Sequence, residues 1–224
     1  MALSNKNTTF TYMHAIENTD DSSIFDINKW VFFLVLCLAT LFLLVVKKTF
    51  IEDQTAAFEV LESRGEMGVF HAINALQYLS IPLIYLFKFT IISFIIWVGS
   101  FMFGYKITYG QIWQVAVIAE AVFLIPEMLK IIWFLFIDMD PNLFEIRAFY
   151  PFSLMHLADP YEIDSRWFYP LKALNIFEII YWFVLVEGVH HKAKKEKNIA
   201  GAIVFCSYVL FFLLWLGFYL LVYK

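Results

Sequence analysis

Charge and cysteine are scarce in this chain of 224 residues. Asp, Glu, Lys and Arg make up only 16% of it, whereas a typical soluble domain has about a quarter. The formal net charge is −4 and no basic stripe is present, so we expect no nucleic-acid partner. The two cysteines, Cys37 and Cys206, both lie in apolar runs. They exclude a disulfide framework and a zinc site, and two buried free thiols are expected.

Catalytic and cofactor motifs are also missing from the sequence. No HExxH, P-loop or GxGxxG pattern occurs. Ser153 and His156 lack the surroundings of a nucleophile elbow, and the acidic segment DPYEID at 159–164 lacks the glycine of a calcium loop. We therefore predict a protein that is not an enzyme and that has no cofactor and no metal site.

Long apolar runs are what the chain has in abundance, since 62% of its residues are hydrophobic and 20% are aromatic. Five runs have the length needed to cross about 30 Å of hydrocarbon. They are residues 30–46, 76–103, 112–137, 171–189 and 199–223. The sequence therefore predicts an all-α, multi-pass transmembrane helical bundle of about five spans. The second run fits one kinked helix or a shallow hairpin, and both alternatives stay open.

Polar segments separate these runs. Residues 1–29 form a polar N-terminal segment that lacks the basic start and short apolar core of a secretory signal. Residues 30–224 are expected to form a single transmembrane domain. Polar loops are predicted at 47–75, with a short surface helix near 56–61, and at 138–170, where prolines favour irregular structure.

A lysine-rich loop after the fourth run sets the predicted orientation. It contains Lys192, Lys194, Lys195 and Lys197. Placing this basic loop in the cytoplasm puts the N-terminus in the cytoplasm and the C-terminus outside, although Lys47 and Lys48 then lie on the other side. The abundance of Phe, Ile and Lys favours a bacterial inner membrane.

Charged residues occur inside the predicted spans, where each costs about 2.5–3.5 kcal/mol and is usually paired. We predict that five of them line a buried polar seam between spans two, three and four. They are Lys88, Glu120, Glu127, Lys130 and Glu178. The seam has two competing interpretations: an ion, proton or headgroup site, or a structural pair that fixes helix register.

Rise per residue predicts the pairing within this seam. With Met102 and Ile112 taken as the matching ends of a hairpin, Lys88 and Glu127 lie at the same depth of about 21–22 Å. We therefore expect a central Lys88–Glu127 pair, with Lys130 pairing with Glu127 or reaching the outer interface. Kinks are predicted at the prolines inside the second and third spans. These are Pro82 and Pro126.

The order of parts resembles the Yip family (Ypt/Rab-interacting, five-span membrane proteins) in its bacterial form. The resemblance covers residues 70–224 and rests on AEAVFLIPEML in the third span, the loop FYPFSLMHL, and LNIFEIIYWFVLVEGV followed by HHKAKKEK. The chain departs from the pattern at Glu187, where a small or apolar residue is expected. Eukaryotic members act in vesicle traffic with small GTPases, and the N-terminal segment here is shorter than their cytosolic region.

The resemblance implies a non-enzymatic scaffold or accessory subunit in the membrane. Its partners would be the lipid bilayer and another membrane protein or a second copy, with a small GTPase only by family analogy. The alternative is a small transporter or ion-conducting subunit that uses the buried polar seam.

Overall fold

The computed structural model describes residues 24–54, 67–138, 141–194 and 196–223. Within these ranges the structure is helical, and its only β pairing is an isolated bridge between Ser153 and Asn175. This confirms the all-α class. The predicted surface helix at 56–61, residues 1–23 and Lys195 lie outside the described residues.

The α-helices follow one another along the chain. They are α1 (Lys29–Phe50), α2 (Met67–Met102), α3 (Tyr109–Ala119), α4 (Leu124–Phe136), α5 (Leu143–Ala148), α6 (Phe168–Ala173), α7 (Ile176–Ala193), α8 (Lys197–Val204) and α9 (Leu210–Val222). A 3-10 turn at Glu120–Phe123 joins α3 to α4, and a π-helical turn at Phe205–Val209 joins α8 to α9.

Three helical segments are long and apolar enough to cross a membrane: Lys29–Phe50, Ala75–Met102 and Lys197–Val222. They correspond to the first, second and fifth predicted spans. Helix α2 is continuous from Met67 to Met102 with Pro82 inside it, so the single-helix alternative is correct and the hairpin is wrong. Many large apolar side chains of these segments are exposed, as expected for helices in contact with lipid.

The third predicted span is built from three helical pieces in series. A reciprocal cap begins α3, since the Thr108 side chain accepts from the N–H of Gln111 and the Gln111 side chain accepts from the N–H of Thr108. Helix α3 therefore starts at Tyr109, three residues before the predicted start. Pro126 lies in the first turn of α4, where its missing N–H is tolerated, directly after the 3-10 turn.

The fourth predicted span begins later than expected. The chain is non-helical at Leu174 and Asn175, and α7 starts at Ile176, where the Asn175 side chain caps the N–H of Glu178 at 2.9 Å. The loop containing Phe152 adds a bond from the N–H of Ile176 to the Phe152 carbonyl at 3.2 Å. Spans three and four therefore remain predictions, since the apolar segments long enough to cross a membrane are the other three.

Helix α3 lies at the centre of the bundle, against α1, α2 and α7. Nearly all of its residues from Ile112 to Ala119 are buried, and together with residues of α2, α7 and α8 they form the main apolar core. Both cysteines are free, but Cys206 is exposed and only Cys37 is partly buried. The prediction of two buried thiols is therefore wrong.

Candidate functional site

Lys88 of α2 and Glu120 form an ion pair in the interior of the bundle. The Lys88 Nζ lies 2.6 Å from Oε1 of Glu120, and the side chains are 39% and 4% exposed, respectively. The ammonium also lies 4.9 Å from the ring centroid of Phe123, a distance at which a cation is attracted to an aromatic face. The pair joins α2 to the 3-10 turn that follows α3.

The predicted central pair of Lys88 and Glu127 is therefore wrong, because Glu120 takes the place of Glu127. The early start of α3 moves Glu127 about 4.5 Å further from the hairpin, and the 3-10 turn adds about 2 Å because its rise per residue is larger. Measured from Tyr109, Glu127 then lies about 29 Å along the chain and Glu120 about 17 Å, against about 21 Å for Lys88. Glu120 is the nearer of the two carboxylates.

A polar cavity of about 320 Å³ opens beside this ion pair. Its polar lining consists of Thr40, Tyr85, Lys88, Glu120, Glu127 and Tyr150. The hydroxyls of Thr40 and Tyr85 lie 2.8 Å apart, so α1 and α2 are also linked here. The structure thus brings Lys88, Glu120 and Glu127 to one cavity, as the predicted seam requires.

Glu178 is the second buried carboxylate of the seam. Its Oε1 accepts hydrogen bonds from Nε1 of Trp182 and from the hydroxyl of Tyr208, both at 2.9 Å. The carboxylate stands in the first turn of α7, where the helix dipole favours negative charge. Tyr208 belongs to the π-helical turn, and such turns are frequent at functional sites.

Tyr181 packs against an aromatic ring near each of the two buried carboxylates. Its ring centroid is 5.1 Å from that of Phe123 and 5.5 Å from that of Tyr208. The Tyr181 hydroxyl and Oε2 of Glu120 are both buried, and neither has a hydrogen-bond partner among the described residues. Sequence reasoning missed both tyrosines, although the spacing of three residues between Glu178 and Tyr181 would have placed these two on one helix face.

Lys130 has a partner that neither predicted alternative included. Its side chain is buried, and Nζ donates a hydrogen bond to the backbone carbonyl of Phe149 at 3.1 Å. The loop after α4 thus folds back onto that helix. Next to Phe149, burial raises the pKa of the Tyr150 hydroxyl, and the nearby Glu127 carboxylate adds to the effect.

Two further cavities adjoin the same polar groups. An apolar groove of about 660 Å³ between α2 and α9 is lined by Lys88 and Tyr208 among apolar side chains. A smaller cavity of about 390 Å³ beside the start of α7 is lined by Glu178 and Trp182. Four charged residues of the interior therefore border open space: Lys88, Glu120, Glu127 and Glu178.

Two lysines of the predicted basic loop form ion pairs with acidic side chains. Lys192 lies 2.7 Å and His191 3.2 Å from the two carboxylate oxygens of Asp26, and Lys197 pairs with Glu187 at 2.5 Å. The hydrogen bond from Lys192 is the main reason that the pKa of Asp26 is lowered. Lys194 ends α7 in the left-handed conformation and is exposed.

In comparisons with family models, curated proteins and solved structures, the chain matches none of them. These comparisons neither support nor refute the resemblance to the Yip family.

Proposed function

We propose that this protein is a small membrane transporter or ion-conducting subunit whose working site is the buried polar seam. The observation that carries the proposal is the Lys88–Glu120 ion pair bordering a polar cavity that also holds Glu127. A purely structural pair is best enclosed by apolar packing, because open polar space beside buried charges weakens their attraction. Here Lys88 remains 39% exposed and borders two cavities.

The depth of the pair supports the same function. Charged residues inside membrane segments usually face one another or a water-filled cavity and mark ion paths. Lys88 lies within the apolar segment Ala75–Met102, more than ten residues from its C-terminal end. A role in moving an ion or a small polar molecule would explain why these charges are kept in the membrane despite their free-energy cost.

Vesicles containing the purified protein test this proposal. Fluxes of protons, sodium and potassium are followed with dyes under an imposed membrane potential, for the wild type and for Glu120→Gln. We expect flux above that of empty vesicles in the wild type and a clear loss of that flux in Glu120→Gln, because charged residues inside membrane segments mark ion paths.

Glu187→Gln is the matched control, because Glu187 is also a glutamate but is half-exposed and pairs with Lys197 outside the seam. It is expected to leave the flux unchanged. Wild-type flux equal to that of empty vesicles for all three ions contradicts the proposal, as does equal loss in the two variants.

The second candidate is the accessory or scaffold subunit implied by the Yip resemblance. The apolar groove between α2 and α9 favours it, since a groove of about 660 Å³ could receive a helix of another membrane protein or of a second copy. A photo-crosslinking residue at Ile91, inside the groove, is expected to give a discrete protein adduct in membranes. The same residue at the exposed Leu34 of α1 serves as control. Adducts with lipid alone would contradict this candidate.

The location proposed for either function is the bacterial inner membrane, with five spans, the N-terminus in the cytoplasm and the C-terminus outside. Supporting this, Asp26 near the N-terminus and Lys192 in the basic loop meet at one end of the bundle, so both fall on the same side. Accessibility of single cysteines to a membrane-impermeant reagent tests the orientation. Labelling of an introduced cysteine at Lys194 only in broken cells is the expected result.

A further inference from the structure

We infer that the interior of the bundle binds one proton, held by the carboxylate of either Glu120 or Glu178. This inference rests on the proposed function and names the ion. The centre consists of these two carboxylates and the Lys88 ammonium, with Tyr181 within electrostatic range of both carboxylates. It is a binding site for the smallest cation, bordered by the polar cavity on one side and the cavity at the start of α7 on the other.

Charge balance is the first reason for this inference. Glu120 is 3% exposed and Glu178 6% exposed, and Lys88 is the cation that acts on both. With all three groups ionised, the centre carries one excess negative charge in a low-dielectric interior, where an uncompensated charge is costly. Binding one proton makes the centre neutral.

Glu127 lines the same cavity but is left out of this count, because two further cations, Lys130 and Lys172, lie within its electrostatic range. The titratable groups around the centre come from several helices, and α1 contributes Cys37, which acts on Tyr85. Helix α2 contributes Tyr85 and Lys88, α4 contributes Glu127 and Lys130, α7 contributes Glu178 and Tyr181, and the connecting segments contribute Tyr150 and Tyr208.

Unused hydrogen-bonding capacity is the second reason. Oε2 of Glu120 and the hydroxyl of Tyr181 are buried without a hydrogen-bond partner among the described residues, although such groups are usually satisfied. A proton on a carboxylate needs a single oxygen, whereas a hard metal cation takes about six. The free carboxylate oxygen offers a place for a proton, and the Tyr181 hydroxyl is a second polar group left without a partner in the same interior.

Infrared difference spectroscopy of the protein in lipid nanodiscs tests the inference. A protonated carboxyl group gives a carbonyl band that is distinct from carboxylate bands and that shifts in D₂O. We expect one such band in the wild type near neutral pH. It is expected to vanish in Glu120→Gln and equally in Glu178→Gln, because either change leaves one carboxylate for one ammonium. Glu187→Gln, outside the centre, is expected to retain it.

Lys88→Met provides an independent check that does not remove a carboxyl group. Losing the ammonium leaves two carboxylates without a cation, so the band is expected to reach about twice its wild-type area. Absence of the band in the wild type overturns the inference, and this measurement does not require any variant to fold. Persistence of the band in both glutamine variants overturns it as well.

The spectra and the vesicle fluxes fail in distinguishable ways. A wild-type band that follows the charge count, without flux of any ion, leaves the proton site standing and removes the transport function. Flux of sodium or potassium without a protonated carboxyl band removes the proton site and leaves the transport function standing.

Discussion

The pairing of Lys88 with Glu120 predicts a coupling energy that a double-mutant cycle measures. Hydrogen bonds to charged groups contribute about 1.5–3 kcal/mol, and the 39% exposure of Lys88 places this pair at the lower end. Lys88→Met alone leaves Glu120 buried without its cation, so that it must take up a proton, at a cost of up to about 3 kcal/mol. The double variant with Glu120→Gln is expected to be more stable than the sum of the single changes implies, by about 1.5 kcal/mol.

The substitutions keep the shape of the interior, since methionine retains most of the lysine stem and glutamine matches glutamate in size. Stability is measured as the free energy of unfolding in detergent micelles, with thermal midpoints as a second readout. In a chain of this size, 1 kcal/mol corresponds to about 2–4 °C. The cycle of Lys88→Met with Glu127→Gln is the control, because Glu127 lines the same cavity without forming the pair. Its coupling is expected to be below about 0.5 kcal/mol.

Two results would refute this reasoning. A coupling that is larger with Glu127 than with Glu120 would restore the pairing predicted from helix rise. Additive effects in both cycles would mean that Lys88 acts in the bundle without a carboxylate partner.

Two other predictions concern the packing and the end of the bundle. In Gly188→Ala, the new methyl would overlap the side chain of Val115 on α3, so a lower thermal midpoint and a loss of about 1–3 kcal/mol are expected. Gly201→Ala, where the added methyl meets open space, is the control, and an unchanged or higher midpoint is expected. Asp26→Asn should lower the midpoint slightly at neutral pH, by less than about 1 kcal/mol, because the ion pair with Lys192 is exposed. The pKa of Asp26 is lowered in the folded state, so this contribution is complete above the unfolded value of about 3.9 and disappears as the pH falls through the folded one. Thermal melts from neutral to acidic pH are expected to converge, and a difference that grows in acid contradicts the ion pair.

Apolar length was enough to predict α1, the final helical segment and α2 from residue 76 onward. The start of α2 at Met67 was missed, because the polar composition of 47–75 predicted a loop there. A run such as WVFFLVLCLATLFLLVV has one stable conformation in hydrocarbon, because an isolated segment there must satisfy its own backbone hydrogen bonds. No knowledge of neighbouring helices is needed for that inference. The same reasoning selected the five charged residues of the seam, since each stands inside an apolar run.

To predict the pairing within the seam, the positions of the helix ends are needed, and the length of an apolar run does not give them. The start of α3 could have been predicted from the sequence, because Thr108 and Gln111 have the spacing of a capping box. Using that start would have placed Glu127 too far from Lys88. The partner of Lys130 could not have been predicted from the sequence, because it is a backbone carbonyl, that of Phe149, and every residue has such a group.

The polar groups of the candidate site stand where regular helix is interrupted. Glu120 begins the 3-10 turn after α3, Glu178 lies in the first turn of α7 after the break at Asn175, and Tyr208 lies in the π-helical turn. Interrupted helix leaves backbone groups without their usual partners, which inside a membrane is tolerated where the chain is packed in protein or borders a cavity. At the break before α7, the Asn175 side chain and the Phe152 carbonyl supply such partners, so specific local contacts hold the interrupted helix open beside the polar groups. Uninterrupted apolar helices would serve a purely structural role better, which favours a site that binds and exchanges an ion.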